Sequence, residues 1–164
     1  MYQPYPGGEQ TPEPSRPSAP QSVVRAAQIM YAGAAVSLIG VIVDLTTLSS
    51  TKSKIESQHQ NWTVTQVNNA EHVAIGVFII SGLLGAALWL WMAQANKSGK
   101  SWARIVATVL FAIDTLSLVG GAVTSAGAAR IYGILVWLIG LGAIIFLWQR
   151  SSTEYFKSRA APRY

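Results

Sequence analysis

VAIGVFIISGLLGAALWLWMA, residues 73–93, is a run of 21 positions without a charged side chain. An α-helix rises about 1.5 Å per residue, so about 20 apolar residues cross the roughly 30 Å hydrocarbon core of a bilayer. A helix also satisfies every backbone polar group inside that core. This stretch is therefore predicted to be a transmembrane helix.

Three other stretches have the same character, at residues 26–48, 105–124 and 131–148. Their lengths fall within the range of about 17–25 residues that spans a bilayer. The first follows a long proline-rich segment and no small-residue cleavage site follows it, so it is predicted to be a retained helix. The expected fold class is an all-α membrane protein: a four-transmembrane-helix bundle, N-in/C-in, with helix two extended outside the membrane.

The composition of the whole chain agrees with a membrane protein. Of its 164 residues, 51% are hydrophobic and only 12% are charged, whereas soluble domains are about 25% charged. The net charge of +5 is spread over the flanks of the apolar stretches, which argues against a nucleic-acid partner. The absence of cysteine excludes disulfides and thiolate chemistry.

The sequence contains no familiar catalytic motif. There is no G-x-S-x-G, H-E-x-x-H, P-loop or dinucleotide fingerprint. The two histidines, His59 and His72, both lie outside the apolar stretches and offer no pair for an intramembrane haem or quinone centre. We therefore expect no enzyme activity, no cofactor and no metal site.

The basic residues predict the orientation of the chain. Nine Lys and Arg residues flank one side of the predicted spans and three flank the other, and the positive-inside rule places the richer side in the cytoplasm. The chain is thus predicted to be a multi-pass plasma-membrane (bacterial inner membrane) protein with cytoplasmic termini. The nine are Arg16, Arg25, Lys97, Lys100, Arg104, Arg150, Lys157, Arg159 and Arg163, and the three are Lys52, Lys54 and Arg130.

The segments outside the spans define the domain organisation. Residues 1–22 hold six of the seven prolines and few aliphatic side chains, so they are predicted to be a disordered cytoplasmic tail. Residues 23–150 form the transmembrane domain, with an extracytoplasmic loop at 49–72, and residues 151–164 form a cytoplasmic tail. Within the loop, Thr63–Gln66 has the pattern of a capping box, which predicts that helix two begins near Thr63.

Two acidic residues lie inside the predicted spans, where a charged side chain costs about 2.5–3.5 kcal/mol at the centre. Asp114 is ten residues from Arg104, near mid-membrane, and Asp44 lies near the outer end of its span. Asp114, Ser117 and Asp44 are a candidate intramembrane polar or ion site. The alternative is a hydrogen-bonding role in a packed helix interface. They lie on two small-residue faces, Gly33, Ser37, Gly40, Asp44 and Thr47, and Leu110, Asp114, Ser117, Gly121 and Thr124.

A second candidate group is predicted at the outer surface. Glu71, His72 and Arg130 are expected at a similar height, near Asp44. A histidine among acids and an arginine forms a candidate pH-responsive cluster. The alternative is a solvated interfacial network without a switching role.

A short basic turn, residues 94–104, connects the second and third spans. Lys97, Lys100 and Arg104 are candidate contacts for anionic lipid headgroups or for a cytoplasmic partner. Tyr155 and Phe156 of the C-terminal tail are expected to fold back onto this turn. The alternative is a turn that only fixes the orientation of the chain.

Two motifs carry a resemblance to other proteins. Residues Ala95–Arg104 follow the pattern A-N-x-x-G-K-x-W-A-R, and Trp148–Phe156 follow W-x-R-S-S-x-x-Y-F. With these motifs and its Pro-rich N-terminal tail, the chain over about residues 25–158 resembles uncharacterised actinobacterial four-transmembrane-helix membrane proteins. The resemblance implies a four-helix plasma-membrane protein with an extracytoplasmic helical loop, and it implies neither an activity nor a site residue.

These features lead to two functional hypotheses. The first is a non-enzymatic accessory or scaffold component that acts through helix contacts in the lipid bilayer, with a membrane-protein partner or as a homo-oligomer. The alternative is a small oligomeric proton or cation transporter or channel that uses Asp114, together with Asp44.

Overall fold

The computed structural model describes residues 18–46, 48–121 and 127–160, and these residues form helices without any β-strand. Residues 1–17 of the predicted N-terminal tail lie outside the described residues, as do Thr47, Thr124 and the side chain of Asp44. The helices are α1 (Gln21–Thr46), α2 (Leu48–Gln58), α3 (Val64–Lys97), α4 (Ser101–Gly121), α5 (Ala128–Leu147) and α6 (Arg150–Ala160).

Four of these helices are long and apolar enough to cross a membrane, and they match the four predicted spans. Their apolar segments are Gln21–Val43, Val64–Lys97, Ser101–Gly121 and Ala129–Leu147. The other two helices, α2 and α6, have 11 residues each and are polar. Helix α2 begins one residue before the predicted loop at 49–72, and α6 begins one residue before the predicted C-terminal tail at 151–164.

The predicted capping box at the start of α3 is confirmed. The Gln66 backbone N–H donates to Thr63 Oγ1 at 3.3 Å, and the Thr63 backbone N–H donates to Gln66 Oε1 at 2.9 Å. Because each side chain satisfies a backbone donor of the first turn, the helix begins here. With 34 residues, α3 is about 51 Å long, well beyond the hydrocarbon thickness.

Replacement of Thr63 by alanine is expected to loosen the first turn of α3 by about 1 kcal/mol, because the Gln66 N–H loses its acceptor. Amide hydrogen exchange over residues 65–67 measures this, and the rate should rise about fivefold. Thr65→Ala is the matched control, since Thr65 is exposed and lies two positions away. Equal exchange rates in the two variants would contradict a capping role.

Helix α1 packs chiefly against α3 and α5. The small-residue face of α1 lets these helices approach it closely. A Cβ added at Gly33 would lie 2.7 Å from ring atoms of Trp89, and one at Gly40 would lie 2.8 Å from the Tyr132 hydroxyl. On α3, a Cβ at Gly82 would overlap the Cγ2 of Val41. The small residues of α1 are therefore an interface, as the spacing predicts.

The corresponding face of α4 is not packed in the same way. Leu110 and Ser117 are exposed, and a Cβ added at the neighbouring Gly120 would meet no atom within 4 Å. The reason is that α4 packs mainly against α5 and has little contact with α3. The small residues of α4 that the structure describes are therefore not a close helix interface, in contrast to the prediction from spacing.

The hydrophobic core is concentrated at one end of the helices. We call this end the basic end; it holds residues 18–30, 92–107 and 143–160. The opposite end is called the loop end. The core consists of Val23, Ala26, Ala27, Met30, Met92, Ala93, Ala95, Ala103, Ala107, Ala143, Leu147, Tyr155 and Phe156. Toward the loop end, large apolar side chains such as Ile42, Val73 and Leu116 are exposed, as expected for helices surrounded by lipid.

Candidate functional site

A cavity of about 200 Å³ separates α3 from α4, with α5 and Met30 of α1 behind it. We call it the α3–α4 cleft. Its lining is dominated by apolar side chains, among them Leu88, Trp89, Leu110 and Phe111. Leu88 and Leu110 are also exposed, so the cleft opens at the surface of the packed helices.

Asp114 is the acidic residue that lines the cleft. It lies ten residues along α4 from Arg104, a distance of about 15 Å. Within the described residues its carboxyl group forms no hydrogen bond or ion pair. Of the other two members of the predicted polar site, Ser117 is exposed outside the cleft lining, and the Asp44 side chain lies outside the described part of the chain. The ion-site hypothesis stays a prediction.

The position of Asp114 is fixed by contacts between α4 and α5. The indole N–H of Trp137 donates to Thr115 Oγ1 at 2.9 Å, and the rings of Phe111 and Trp137 lie 5.7 Å apart. A Cβ at Gly140 would lie 2.9 Å from the Phe111 ring. These contacts hold one turn of α4 against α5, and Asp114, on the same turn, lines the cleft.

The predicted outer cluster is spread over two helices. Glu71 and His72 lie in the extended first part of α3, and Arg130 lies in the first turn of α5. His72 and Arg130 are exposed and Glu71 is half-buried. In the described structure, neither Glu71 nor His72 forms a hydrogen bond or an ion pair. The pH-responsive role proposed for this group stays a prediction.

At the basic end, α6 folds back onto the basic turn, as predicted for Tyr155 and Phe156. The Tyr155 hydroxyl donates to the Lys97 carbonyl at 3.1 Å, and Ser101 Oγ donates to the Phe156 carbonyl at 3.3 Å. The turn passes through Gly99 at a φ of 73°, a conformation that favours glycine. A Cβ there would lie 2.8 Å from the Arg159 side chain and 3.0 Å from the Tyr155 ring.

Arg104 ties the basic turn to the segment that follows α5. Its guanidinium lies 4.3 Å from the centre of the Trp148 ring and 5.4 Å from that of Phe156. Its Nη1 donates to Thr153 Oγ1 at 3.0 Å. Cation–π contacts of this kind stabilise by about 0.5–2 kcal/mol, depending on desolvation. Arg104 is therefore a structural anchor of α6 as well as a basic residue of the turn.

Sequence reasoning missed a group of serines that joins the two ends of the chain. Ser152 Oγ is hydrogen-bonded to Ser22 Oγ and to the Phe146 carbonyl, both at 2.7 Å, and Ser22 Oγ lies 2.8 Å from Ser151 Oγ. Ser152 is fully buried. The signal in the sequence was the pair Ser151-Ser152 beside two aromatic residues at helical spacing, which marks an amphipathic helix with one buried face.

Comparison with models of protein families, with curated proteins and with solved structures gives no match for this chain.

Proposed function

We propose that this chain is a non-enzymatic, multi-pass plasma-membrane protein that serves as an accessory or scaffold component. Its α3–α4 cleft receives a transmembrane helix of a partner protein. The basic end lies in the cytoplasm, because nine of the twelve Lys and Arg residues lie in the segments that flank the predicted spans on this side.

One observation carries the proposal: Asp114, which has no hydrogen-bond or ion-pair partner among the described residues, lines an apolar cleft that opens sideways. A carboxylate near mid-membrane costs about 2.5–3.5 kcal/mol unless another group satisfies it. A partner helix that brings a Ser, Thr, Asn, His or Lys side chain opposite Asp114 removes this cost through an interhelical hydrogen bond. The apolar walls then provide the packing surface for the rest of that helix.

The second candidate function is a small oligomeric proton or cation transporter or channel, and the exposure of Asp114 to the cleft supports it. A conduction pathway needs polar groups along its length, whereas the residues that line this cleft, apart from Asp114, are apolar side chains and glycines. The lining therefore favours a helix over a hydrated ion. In proteoliposomes, an ion flux that is lost in Asp114→Asn would favour transport.

Site-specific photocrosslinking in native membranes tests the helix-docking proposal. A photoreactive residue placed at Leu110 is expected to form an adduct with a membrane protein, because Leu110 lines the open cleft. The matched control position is Leu116, which lies on another face of α4 and is 72% exposed. Adding Asp114→Ala should reduce the adduct at position 110 about tenfold, from the loss of an interhelical hydrogen bond.

Three outcomes would count against the proposal. Equal amounts of adduct at positions 110 and 116 would show that other membrane proteins contact α4 without a preferred docking site. An adduct at position 110 that is unaffected by Asp114→Ala would remove the role of the carboxyl group. An adduct of twice the mass of the chain would identify a second copy in place of a partner protein.

A further inference from the structure

The basic end carries an uncompensated positive charge. Five cationic residues surround the contact between the basic turn and α6: Lys97, Lys100, Arg104, Lys157 and Arg159. We call this group the basic platform. Among the described residues of this end, the acidic side chain is Glu154, and it is already paired with Arg150 at 3.0 Å. Within the described structure, no member of the platform forms an ion pair.

The platform is held in place by aromatic side chains. Arg104 is fixed by Trp148 and Phe156, as described above, and the Arg159 guanidinium lies 5.4 Å from the centre of the Tyr155 ring. Arg159 Nη2 also donates to the Tyr155 hydroxyl at 3.2 Å. The two arginines are thus ordered before any ligand arrives, which lowers the entropy that binding must overcome.

The exposed lysines of the platform supply the contacts for an anion. Lys97, Lys100 and Lys157 are exposed, whereas Arg104 Nε and Arg159 Nε are buried and have no acceptor within the described residues. A ligand at the surface therefore meets the ammonium groups first, and each of these is a point charge with three donors. The chemistry of the platform fits a phosphate group.

The surroundings of the platform are those of a bilayer interface. The rings of Trp91 and Trp102 lie 5.4 Å apart, beside the platform, and Lys100 Nζ is 6.0 Å from the centre of the Trp102 ring. One turn further along α4, Ile105 is exposed, and on α3 Leu90 is exposed next to Trp91; neither residue lines the α3–α4 cleft. Tryptophan favours the headgroup level of a membrane, so a phosphate bound here has apolar protein surface directly below it for acyl chains.

We propose that the basic platform binds the phosphate headgroup of an anionic phospholipid, whose acyl chains lie against the exposed apolar surface of α3 and α4. A free phosphate ion would use the charges alone, and it would leave the tryptophan pair and the apolar surface without a role. This binding site is separate from the docking of a partner helix at Asp114, and either proposal can fail without the other.

The test compares lipid binding by two lysine variants of the purified full-length protein. Lys97→Gln/Lys100→Gln removes two exposed charges of the platform, whose side chains form no hydrogen bond with the described residues. Lys52→Gln/Lys54→Gln removes the same charge at the loop end and is the control; Lys52 Nζ donates to Asn68 Oδ1 at 3.0 Å, and glutamine keeps a donor at that position. Native mass spectrometry in neutral detergent counts the phosphatidylglycerol molecules retained by each protein, with phosphatidylcholine as the neutral reference.

We expect the platform variant to bind phosphatidylglycerol about tenfold more weakly than the natural protein and the control. Binding of phosphatidylcholine should be the same in all three. A variant at a second position, Lys157→Gln, changes one exposed residue of α6 and should weaken binding about threefold. It supplies the same test if the double variant does not fold.

Two results would overturn the proposal. One is equal retention of phosphatidylglycerol by the platform variant and the loop-end control. The other is full displacement of the lipid by inorganic phosphate at millimolar concentration, which would show a site for a soluble anion and not for a lipid.

Discussion

Replacing Gly82 with leucine is expected to destabilise the folded protein by about 3 kcal/mol, the upper part of the range for overpacking a tight contact. Even a Cβ at this position would overlap the Cγ2 of Val41 on α1. Valine in a helix has one strongly preferred rotamer, so Val41 cannot rotate away. The two backbones must then separate along the α1–α3 interface, the most extensive contact between helices in the described structure.

The matched control is Gly76→Leu, in the same helix. A Cβ at Gly76 would meet no atom within 4 Å, so the same change of residue type should alter stability by less than about 0.5 kcal/mol. Unfolding of both variants in a graded series of detergent mixtures, followed by circular dichroism, gives the two free energies. If the two variants unfold alike, the α1–α3 contact is not the close interface described here.

The second large effect is expected for Phe156→Ala. Phe156 is 2% exposed and packs under the Arg104 guanidinium, so its truncation should weaken the docking of α6 by about 3 kcal/mol. This corresponds to a roughly hundredfold increase in the population with α6 undocked. Trypsin cleaves after Lys and Arg, and undocking makes the backbone at Lys157 and Arg159 accessible for cleavage.

The rate of tryptic cleavage within residues 150–160 measures that population when opening is fast relative to cleavage. Glu154→Ala is the control, because its side chain is 65% exposed and its surface ion pair with Arg150 contributes little. An increase in cleavage of the same size in both variants would mean that α6 is held by its helical propensity and not by the buried face.

The four long helices could be predicted from the sequence because the signal is local. Residues 73–93 are apolar on every face, so the stretch is a membrane helix whatever its neighbours are. The signal for the start of α3 was equally local, since Thr63 and Gln66 interact within one turn. In contrast, α6 has the polar composition of a tail. Its position depends on contacts with residues distant in the chain, among them Lys97, Ser101 and Arg104, more than 45 residues away.

The candidate sites depended on tertiary contacts in the same way. Spacing placed Asp114 and Ser117 on one face of a helix, but spacing does not say which neighbour covers that face. In the structure α4 packs on α5 through Thr115 and Trp137. This contact sets the rotation of α4 about its own axis, so that Asp114 lines the cleft while Ser117 is exposed. Periodicity could mark Ser152 as part of a buried helix face, but it could not identify the partner of that face, because Ser22 and Ser152 come from opposite ends of the chain.

The uneven distribution of the core along the helices has a consequence for how the fold opens. The buried residues lie at the basic end, whereas large apolar side chains toward the loop end are exposed. Local opening begins where few side chains are buried. We therefore expect backbone amides of the loop-end halves of the helices to exchange with solvent before those of the basic end.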